Sequence, residues 1–404
     1  MRLLFYSHDA VGLGHVRRHL AITNAVSEAC PEVKMLVATS VDEVSRLGLP
    51  PNVDTLKLPA LRKISNRQYA SRRLGLSPSE IHDLRSALLL AAVETFRPTI
   101  VVADKHPFGA GGEFKAALKR AKSYGARSVL GMRDILDEPA AVHQEWSAGK
   151  VQQRIADYYD LVLIYGASSI FDPITEYRFP AALAERTKFC GYVVNPTPRG
   201  WQPELWPPAT TQQAGRPPRV LGTTGGGEDG FAVLETFIRA AKGAPWEGMA
   251  VAGPMLGQPG LSALKRLSAE NGVTLHTFVP CLSNLFGSLD GLVCMGGYNT
   301  LAEALSQGVP TVCIPRNVPR SEQLLRARAF EKLGLVRCIV PEQLTVEKLR
   351  LELTAAFECP RQTRLQRASR AFSFEGARHA AGHLLGLMPP MPQVAARRLA
   401  QMPS

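Results

Sequence analysis

The sequence predicts an α/β protein built as two doubly wound, Rossmann-like domains facing a cleft. Three observations carry that expectation. Short apolar runs alternate with amphipathic helical stretches, and the alternation happens twice over. Glycine turns stand between strand and helix at 12–14, 225–227 and 296–297, the places where parallel sheets gather ligands. The stretch 196–218 interrupts the pattern with Pro, Thr, Gln and Trp and reads as a linker. The expected division is therefore 1–195, 196–218 as linker, 219–371, a last helix over 372–388, and a loose Pro- and Met-rich tail over 389–404.

Composition bounds the function classes. A chain of 404 residues is long enough for two full cores, and 45% apolar with 20% charged residues is ordinary for a globular protein. No apolar run approaches a membrane span, and MRLLFYSHDA reads as a first strand rather than a leader. The seven cysteines are scattered without a C-x-x-C pair, which fits reduced thiols and a cytoplasmic location. A net charge of +12 favours anionic partners. The aromatics do not interleave with the basic residues, so nucleic acid is not expected as a partner.

In chain order, Leu3 to Ser7 form a strand that turns at DAVGLGHVRRHL into a helix. His8 and Asp9 end the strand and His15 follows Gly14, so three titratable groups converge on one turn, a pattern of catalytic acid–base sites. The turn fails as a dinucleotide fingerprint. Arg17 occupies the place of the third small residue, and no acidic residue directly follows the second strand, Met35 to Ala38. The basic stretch 61–79 lacks a clean period and reads as a surface loop or short helix. Ser79 is the expected cap of a helix running to Phe96. Asp104, Lys105 and His106 end the next strand, and Arg133 with Asp134 end another. Charged groups at such buried ends must face a cleft or be paired. Strands at 161–164 and 188–194 complete the first domain.

The second domain opens with strand Val220-Leu221 and the turn Gly225, Gly226, Gly227. Strands at 249–252 and 273–278 and a short helix at 280–289 precede its central stretch, Val293 to Gln323. There an apolar strand ends at Gly296-Gly297. A helix follows, with Leu301, Ala304 and Leu305 at helical spacing and Gly308 closing it. A strand that turns on glycines into a helix offers unpaired amides and partial positive charge to an anion. Asn299 and Thr300 add side-chain hydrogen bonds beside those amides, and Glu303 in the first turn suits a ribose diol. A polar loop then runs to Glu322-Gln323. Helices follow to Leu333 and over 344–357, and the last helix carries His379 and His383 at i, i+4, where no third ligand supports a metal.

The stretch 293–323 resembles the nucleotide-sugar signature of GT-B glycosyltransferases, among them the lipid II-forming N-acetylglucosaminyltransferases and the UDP-sugar-dependent small-molecule glycosyltransferases. The opening YSHD…GLGH and the segments at 103–113 and 129–137 resemble a bacterial branch of predicted GT-B glycosyltransferases. The resemblance implies that Gly297, Tyr298, Asn299 and Thr300 hold a diphosphate together with Gly225, Gly226 and Gly227. It assigns Val279 to the base, Glu303 to the ribose, and Glu322 and Gln323 to the donor sugar. It makes His15 the first candidate for the general base, with Asp9 and His8 next, and sets Gly14, Asp104, His106 and Arg133 on the acceptor side. It sends the last helix back onto the first domain. One departure stands out: Met295 occupies a place where the small-molecule branch usually has His.

The function so implied is metal-independent, inverting transfer of a hexose-type sugar from a nucleotide-diphosphate donor, UDP or dTDP, to a hydroxyl of a small-molecule, glycan or lipid acceptor. The donor is a substrate, and no separate cofactor is implied. Segment 61–79 is a candidate contact for an anionic acceptor or a membrane surface. A nucleotide-sugar epimerase or hydrolase, or a non-catalytic nucleotide-sugar-binding protein, fits the same motifs. Donor base, sugar, acceptor and oligomeric state stay open at this stage.

Overall fold

The structure is a computed structural model that describes residues 1–8, 14–42, 44, 48–64, 69–195 and 216–387. Asp9, most of the linker and the tail from 388 lie outside these residues.

The first half of the chain forms strands β1 (Arg2–Tyr6), β2 (Lys34–Thr39), β3 (Val53–Lys57), β4 (Leu61–Lys63), β5 (Tyr69–Ser71), β6 (Ile100–Asp104), β7 (Arg127–Arg133), β8 (Leu161–Tyr165) and β9 (Thr187–Phe189). Its helices are α1 (Gly14–Ala29), α2 (Pro78–Phe96), α3 (Lys115–Ser123), α4 (Pro139–Gly149), α5 (Val151–Tyr158), α6 (Pro173–Glu176) and α7 (Ala181–Ala184). Seven strands make one parallel sheet in the order β3-β2-β1-β6-β7-β8-β9. The second half adds β10 (Arg219–Thr223), β11 (Glu247–Val251), β12 (Thr274–His276), β13 (Gly291–Cys294), β14 (Thr311–Cys313) and β15 (Arg337–Cys338). Its helices are α8 (Phe231–Ala241), α9 (Gln258–Asn271), α10 (Tyr298–Ser306), α11 (Glu322–Lys332), α12 (Val346–Phe357), α13 (Arg361–Ala371) and α14 (Gly376–Gly386). The second sheet is parallel in the order β12-β11-β10-β13-β14-β15.

Both sheets are covered by helices on both faces, which is why their central strands read as unbroken apolar runs. Leu3, Leu4, Phe5 and Tyr6 of β1 are all fully buried, as is every residue of β6. Each sheet reverses its strand order once, between β1 and β6 and between β10 and β13. Ligand crevices of open α/β sheets lie beyond the strand ends at such points.

Several elements differ from the sequence expectation. Segment 61–79 holds an antiparallel hairpin, β4 with β5, rather than a loop or short helix. Leu61 and Tyr69 bury with Ile81 in a small cluster of their own, and that packing overrides the basic composition. The cap of α2 is Ser77, not Ser79. The Ser77 hydroxyl accepts from the Glu80 amide at 3.3 Å and the Glu80 carboxylate accepts from the Ser77 amide at 2.9 Å, a complete capping box around Pro78. Edge strands β3 and β15 escaped notice because a strand exposed at an edge need not be apolar. Glu322 and Gln323 open α11 instead of ending a loop.

The last helix starts at Gly376, not at Phe372. Before it, the backbone pairs with the end of the first domain: Tyr192 N donates to Ser373 O at 2.8 Å and Gly376 N to Tyr192 O at 3.1 Å. A Cβ at Gly376 would lie 2.6 Å from the Tyr192 carbonyl carbon, so a side chain there would collide with backbone. From this clasp α14 packs along α1. His379 does not simply face water, because its Nδ1 lies 2.7 Å from Cys190 O.

The two halves share one apolar cluster, in which Val16, Tyr192, Tyr298, Phe330 and Phe372 meet. A buried ion pair crosses it: Arg326 Nη2 of α11 lies 2.8 Å from Asp134 Oδ1 beyond β7, and neither side chain is exposed. Tyr192 Oη donates to Asp134 Oδ2 at 2.8 Å. Removing one member strands the other charge in the interior, so Arg326→Met should destabilise the folded chain by about 3–5 kcal/mol, read as a lower urea midpoint. A loss under about 1 kcal/mol would show that water reaches the pair.

Candidate functional site

At the first switch point, α1 starts directly beneath the ends of β1 and β6. Asp104 closes β6 with no exposure and receives a two-pronged contact from Arg18: Nε donates to Oδ2 at 2.9 Å and Nη2 to Oδ1 at 2.9 Å. His15 Nδ1 lies 3.2 Å from Asp104 Oδ1. His15 and Arg18 sit at i, i+3, one face of one helix turn. Burial pushes the Asp104 carboxyl up, but Arg18 and His15 overcome this and hold it well below the usual carboxylate range. Burial draws His15 below its ordinary value, and the attraction of Asp104 only partly opposes it. The imidazole is therefore neutral at neutral pH. In the tautomer that donates Nδ1–H to Asp104, Nε2 carries the lone pair.

Two more neutral histidines adjoin it. The ring centroids of His8 and His106 are 4.4 Å apart, those of His8 and His15 5.1 Å, and Tyr69 of the hairpin meets His8 edge-on at 5.9 Å. Burial, reinforced by His15 and Lys105, lowers His8 and His106 well below the ordinary range. The buried His8 Nδ1 and His106 Nε2 have no hydrogen-bond partner. Among the described residues no group of three or more His, Cys, Asp or Glu is arranged to hold a metal ion.

Across the cleft stands the start of α10. Gly296 has φ +80°, and a Cβ there would fall 2.7 Å from Cys313 Sγ, so glycine is required on both counts. At Gly297 a Cβ would meet nothing within 4 Å, so this amide end faces open space. Asn299 Nδ2 donates to Gly14 O at 3.3 Å, which brings the glycine turns of the two halves face to face. Thr300 is partly exposed on the same turn. Tyr298 turns its side chain the other way. Its Oη accepts from Val193 N at 3.0 Å, and its ring lies between the guanidinium groups of Arg18 and Arg326, at 5.3 and 5.6 Å.

Glu303, 2% exposed, already has partners: Oε1 accepts from Arg17 Nη2 and from Asn195 Nδ2, each at 2.7 Å. Burial raises its carboxyl above the ordinary value despite the attraction of Arg17. The Gly225–Gly227 turn locks onto the end of β11, where a Cβ at Gly227 would fall 2.3 Å from Ala252 O. Val279 is buried just beyond β12. Glu322 Oε1 accepts from Arg316 Nη2 at 3.1 Å, Gln323 Oε1 accepts from Arg316 N at 3.2 Å, and Arg316 Nη1 reaches Asp229 Oδ2 at 2.9 Å.

The structure thus brings His8, Gly14, His15, Asp104 and His106 to one wall and Gly297, Asn299, Thr300 and Glu303 to the other. Asp104 serves His15 and Arg18 rather than standing free on the acceptor side. Asp9 lies outside the described residues. Arg17, Arg18 and Asn195 were not singled out from sequence as site residues. The i, i+3 spacing of His15 and Arg18 was a usable signal, whereas Asn195 offered none.

Residues 256–383 match the Glycosyltransferase family 28 C-terminal domain. The chain is 30% identical over 232 residues to the UDP-N-acetylglucosamine--N-acetylmuramyl-(pentapeptide) pyrophosphoryl-undecaprenol N-acetylglucosamine transferase of Nitrosospira multiformis, covering 54% of this chain and 58% of that one. It thus spans somewhat over half the length of that curated relative. It is 34% identical over 117 residues to demethyllactenocin mycarosyltransferase of Streptomyces fradiae, covering 29% of this chain and 23% of that one. Among solved structures, the calicheamicin glycosyltransferase superposes with a TM-score of 0.62 at 19% identity, over 96% of this chain and 99% of that one. MurG of Acinetobacter baumannii superposes with a TM-score of 0.58 at 15% identity, over 96% and 98%. The fold is that of the GT-B glycosyltransferases, two Rossmann-like domains across a cleft, and the family 28 match falls within its second half.

The buried neutral histidines make stability pH-dependent. Burial lowers His8, His15 and His106, and takes His19 down to about 4. The unfolded chain binds protons at these groups below about pH 6.5 while the folded chain does not, so stability is present above that pH and falls on acidification. His19→Phe, beside Phe5, should flatten the slope between pH 6.5 and 5 by up to about 1.4 kcal/mol per pH unit. Urea melts across that range give the slope, and an unchanged slope contradicts the neutral assignment of His19.

Proposed function

We propose that this chain is an inverting, metal-independent glycosyltransferase that uses a UDP- or dTDP-sugar. The observation that carries the reading is the neutral His15 on ionised Asp104, set opposite the open amide end of α10, with Gly14 and Asn299 in contact between them.

In this reading the donor diphosphate lies on the α10 amides at Gly297 to Asn299, with Thr300 and the Gly225–Gly227 turn beside it. Glu303 takes the ribose hydroxyls, exchanging its bonds from Arg17 and Asn195. Glu322 and Gln323 take hydroxyls of the sugar. His15 Nε2 removes the proton from an acceptor hydroxyl as that oxygen attacks the anomeric carbon. The bond from that carbon to the phosphate oxygen breaks, its electron pair leaves with the nucleoside diphosphate, and the anomeric configuration inverts. Preorganised amides in a water-poor cleft stabilise the leaving charge, which is the work a metal would otherwise do. His8, His106 and Tyr69 flank the acceptor's approach to His15. Among the described residues no helix is long and apolar enough to cross a membrane. Exposed Ile64 and Leu74, near Arg62, Arg72 and Arg73, support peripheral contact of the 61–79 segment with an anionic surface.

A thermal-shift screen with UDP, dTDP, GDP, ADP, CMP and NAD(H) tests the donor site, because a ligand of the folded state raises the melting temperature by mass action. One nucleoside diphosphate should give a shift that Glu303→Ala abolishes. A shift with NAD(H) alone, or none, overturns the reading. With the donor identified, product analysis without acceptor separates transfer from hydrolysis or epimerisation. His15→Ala should lower kcat by about 10²–10⁴-fold while nucleotide affinity holds. Neutral His15 is the active form, so kcat/KM should fall on acidification along a limb centred below the ordinary histidine value. A limb at or above that value speaks against His15 as the base.

A further inference from the structure

The cleft between β6, β7 and α11 is crowded with charge, and nearly all of it is matched. Arg18 pairs with Asp104, Arg326 with Asp134, Arg316 with Asp229 and Glu322, and Arg320 with Asp137 and Glu145. Arg133, the last residue of β7, is different. Among the described residues it makes no hydrogen bond and no ion pair, and its Nε is buried without a partner. The charges that act on it are Arg326 and Arg18, which repel it, and Glu322 and Asp104, which attract it. Asp104 is already gripped by Arg18, and Glu322 is not in ion-pair contact with Arg133. Glu322, 4% exposed, has its own buried, unpartnered atom, Oε2.

Burial, reinforced by Arg326, draws the Arg133 guanidinium down to about 10, so it remains charged at neutral pH. Arg133 is partly exposed at the end of an otherwise buried stretch of strand, and its buried Nε, unpaired among the described residues, carries a desolvation cost that an apolar side chain there would not. Its place is informative. Arg133 ends the strand next to the one that Asp104 ends, and the charge of Glu322 from the opposite domain acts on it. If His15 is the base and Glu322 holds the sugar, the guanidinium stands where the bond changes occur.

We propose that Arg133 pairs with an anionic oxygen supplied by the donor, either a phosphate oxygen of the diphosphate or a carboxylate on the transferred sugar. This rests on the donor-site reading above. It moves Arg133 from the acceptor side, where the family resemblance placed it, to the donor. A planar guanidinium with an unpaired Nε suits two-point pairing with either group. The free Glu322 Oε2 beside it accepts from a sugar hydroxyl. Donor binding then neutralises Arg133 and satisfies Glu322 in one step.

The test titrates the full chain with UDP, UDP-glucose and UDP-glucuronate, or the dTDP counterparts if thymidine is preferred, using wild type, Arg133→Met and Arg133→Lys. If the partner is the diphosphate, Arg133→Met weakens all of the nucleotides about 10- to 100-fold. If it is a sugar carboxylate, only UDP-glucuronate weakens. Arg133→Lys keeps the charge without the fork and falls between. Melting without ligand separates binding from structure: Arg133→Met should melt at or above the wild-type temperature, since an unpaired buried donor has gone. Unchanged affinities in Arg133→Met overturn the proposal, and so does a ligand-free melting temperature lowered by several degrees, which would mark a structural cation. Wild type that binds none of these nucleotides fails at the donor reading itself and removes the inference with it.

Discussion

The ring of Tyr298 lies between two buried guanidinium groups, Arg18 and Arg326, and each neutralises an aspartate at the end of a first-domain strand. The rest of the molecule depends on this stack. Arg18 comes from α1 and ties the glycine turn of the first domain to Asp104. Arg326 comes from α11 and ties the second domain to Asp134. Tyr298 is the first residue of α10, so its ring fixes the amide end of that helix against both. A misplaced charge here would remain in the interior without water, which gives the arrangement little freedom to slide.

The same stack sets the protonation states of the cleft. Arg18 keeps Asp104 ionised in a place where burial alone would protonate it, and ionised Asp104 orients His15 without charging it. His8 and His106 stay neutral because burial, Lys105 and His15 all oppose a proton. The result is an uncharged imidazole at neutral pH beside a fixed carboxylate, facing helix amides that await negative charge. Such a layout needs little reorganisation when charge moves across it.

The cleft also handles its unsatisfied groups economically. Glu303 would be a buried lone carboxylate if nothing met it, and Arg17 and Asn195 meet it from the first domain. Both contacts cross from the first domain to α10, so the charge state of Glu303 and the relative placement of the domains are energetically linked. Arg133 Nε and Glu322 Oε2 are the complementary case, buried atoms without a partner among the described residues.

The sequence alone determined the two-domain alternation, because parallel strands buried on both faces must be apolar throughout. It also determined the glycine turns, because backbone at φ +80° against Cys313 admits no side chain, and with them the exposed amide end of α10. Local pattern was a poorer guide where packing overrode it: the hairpin at 61–71 is held by Leu61, Tyr69 and Ile81, and α14 waits for Gly376 because the preceding backbone pairs with Tyr192. Only the tertiary structure decided which charges meet. Arg17 finds Glu303 across 286 positions of chain and Arg326 finds Asp134 across 192. No periodicity or spacing records a pairing made through space between residues so far apart, and for the same reason only the folded chain shows that the Arg133 side chain has none among the described residues.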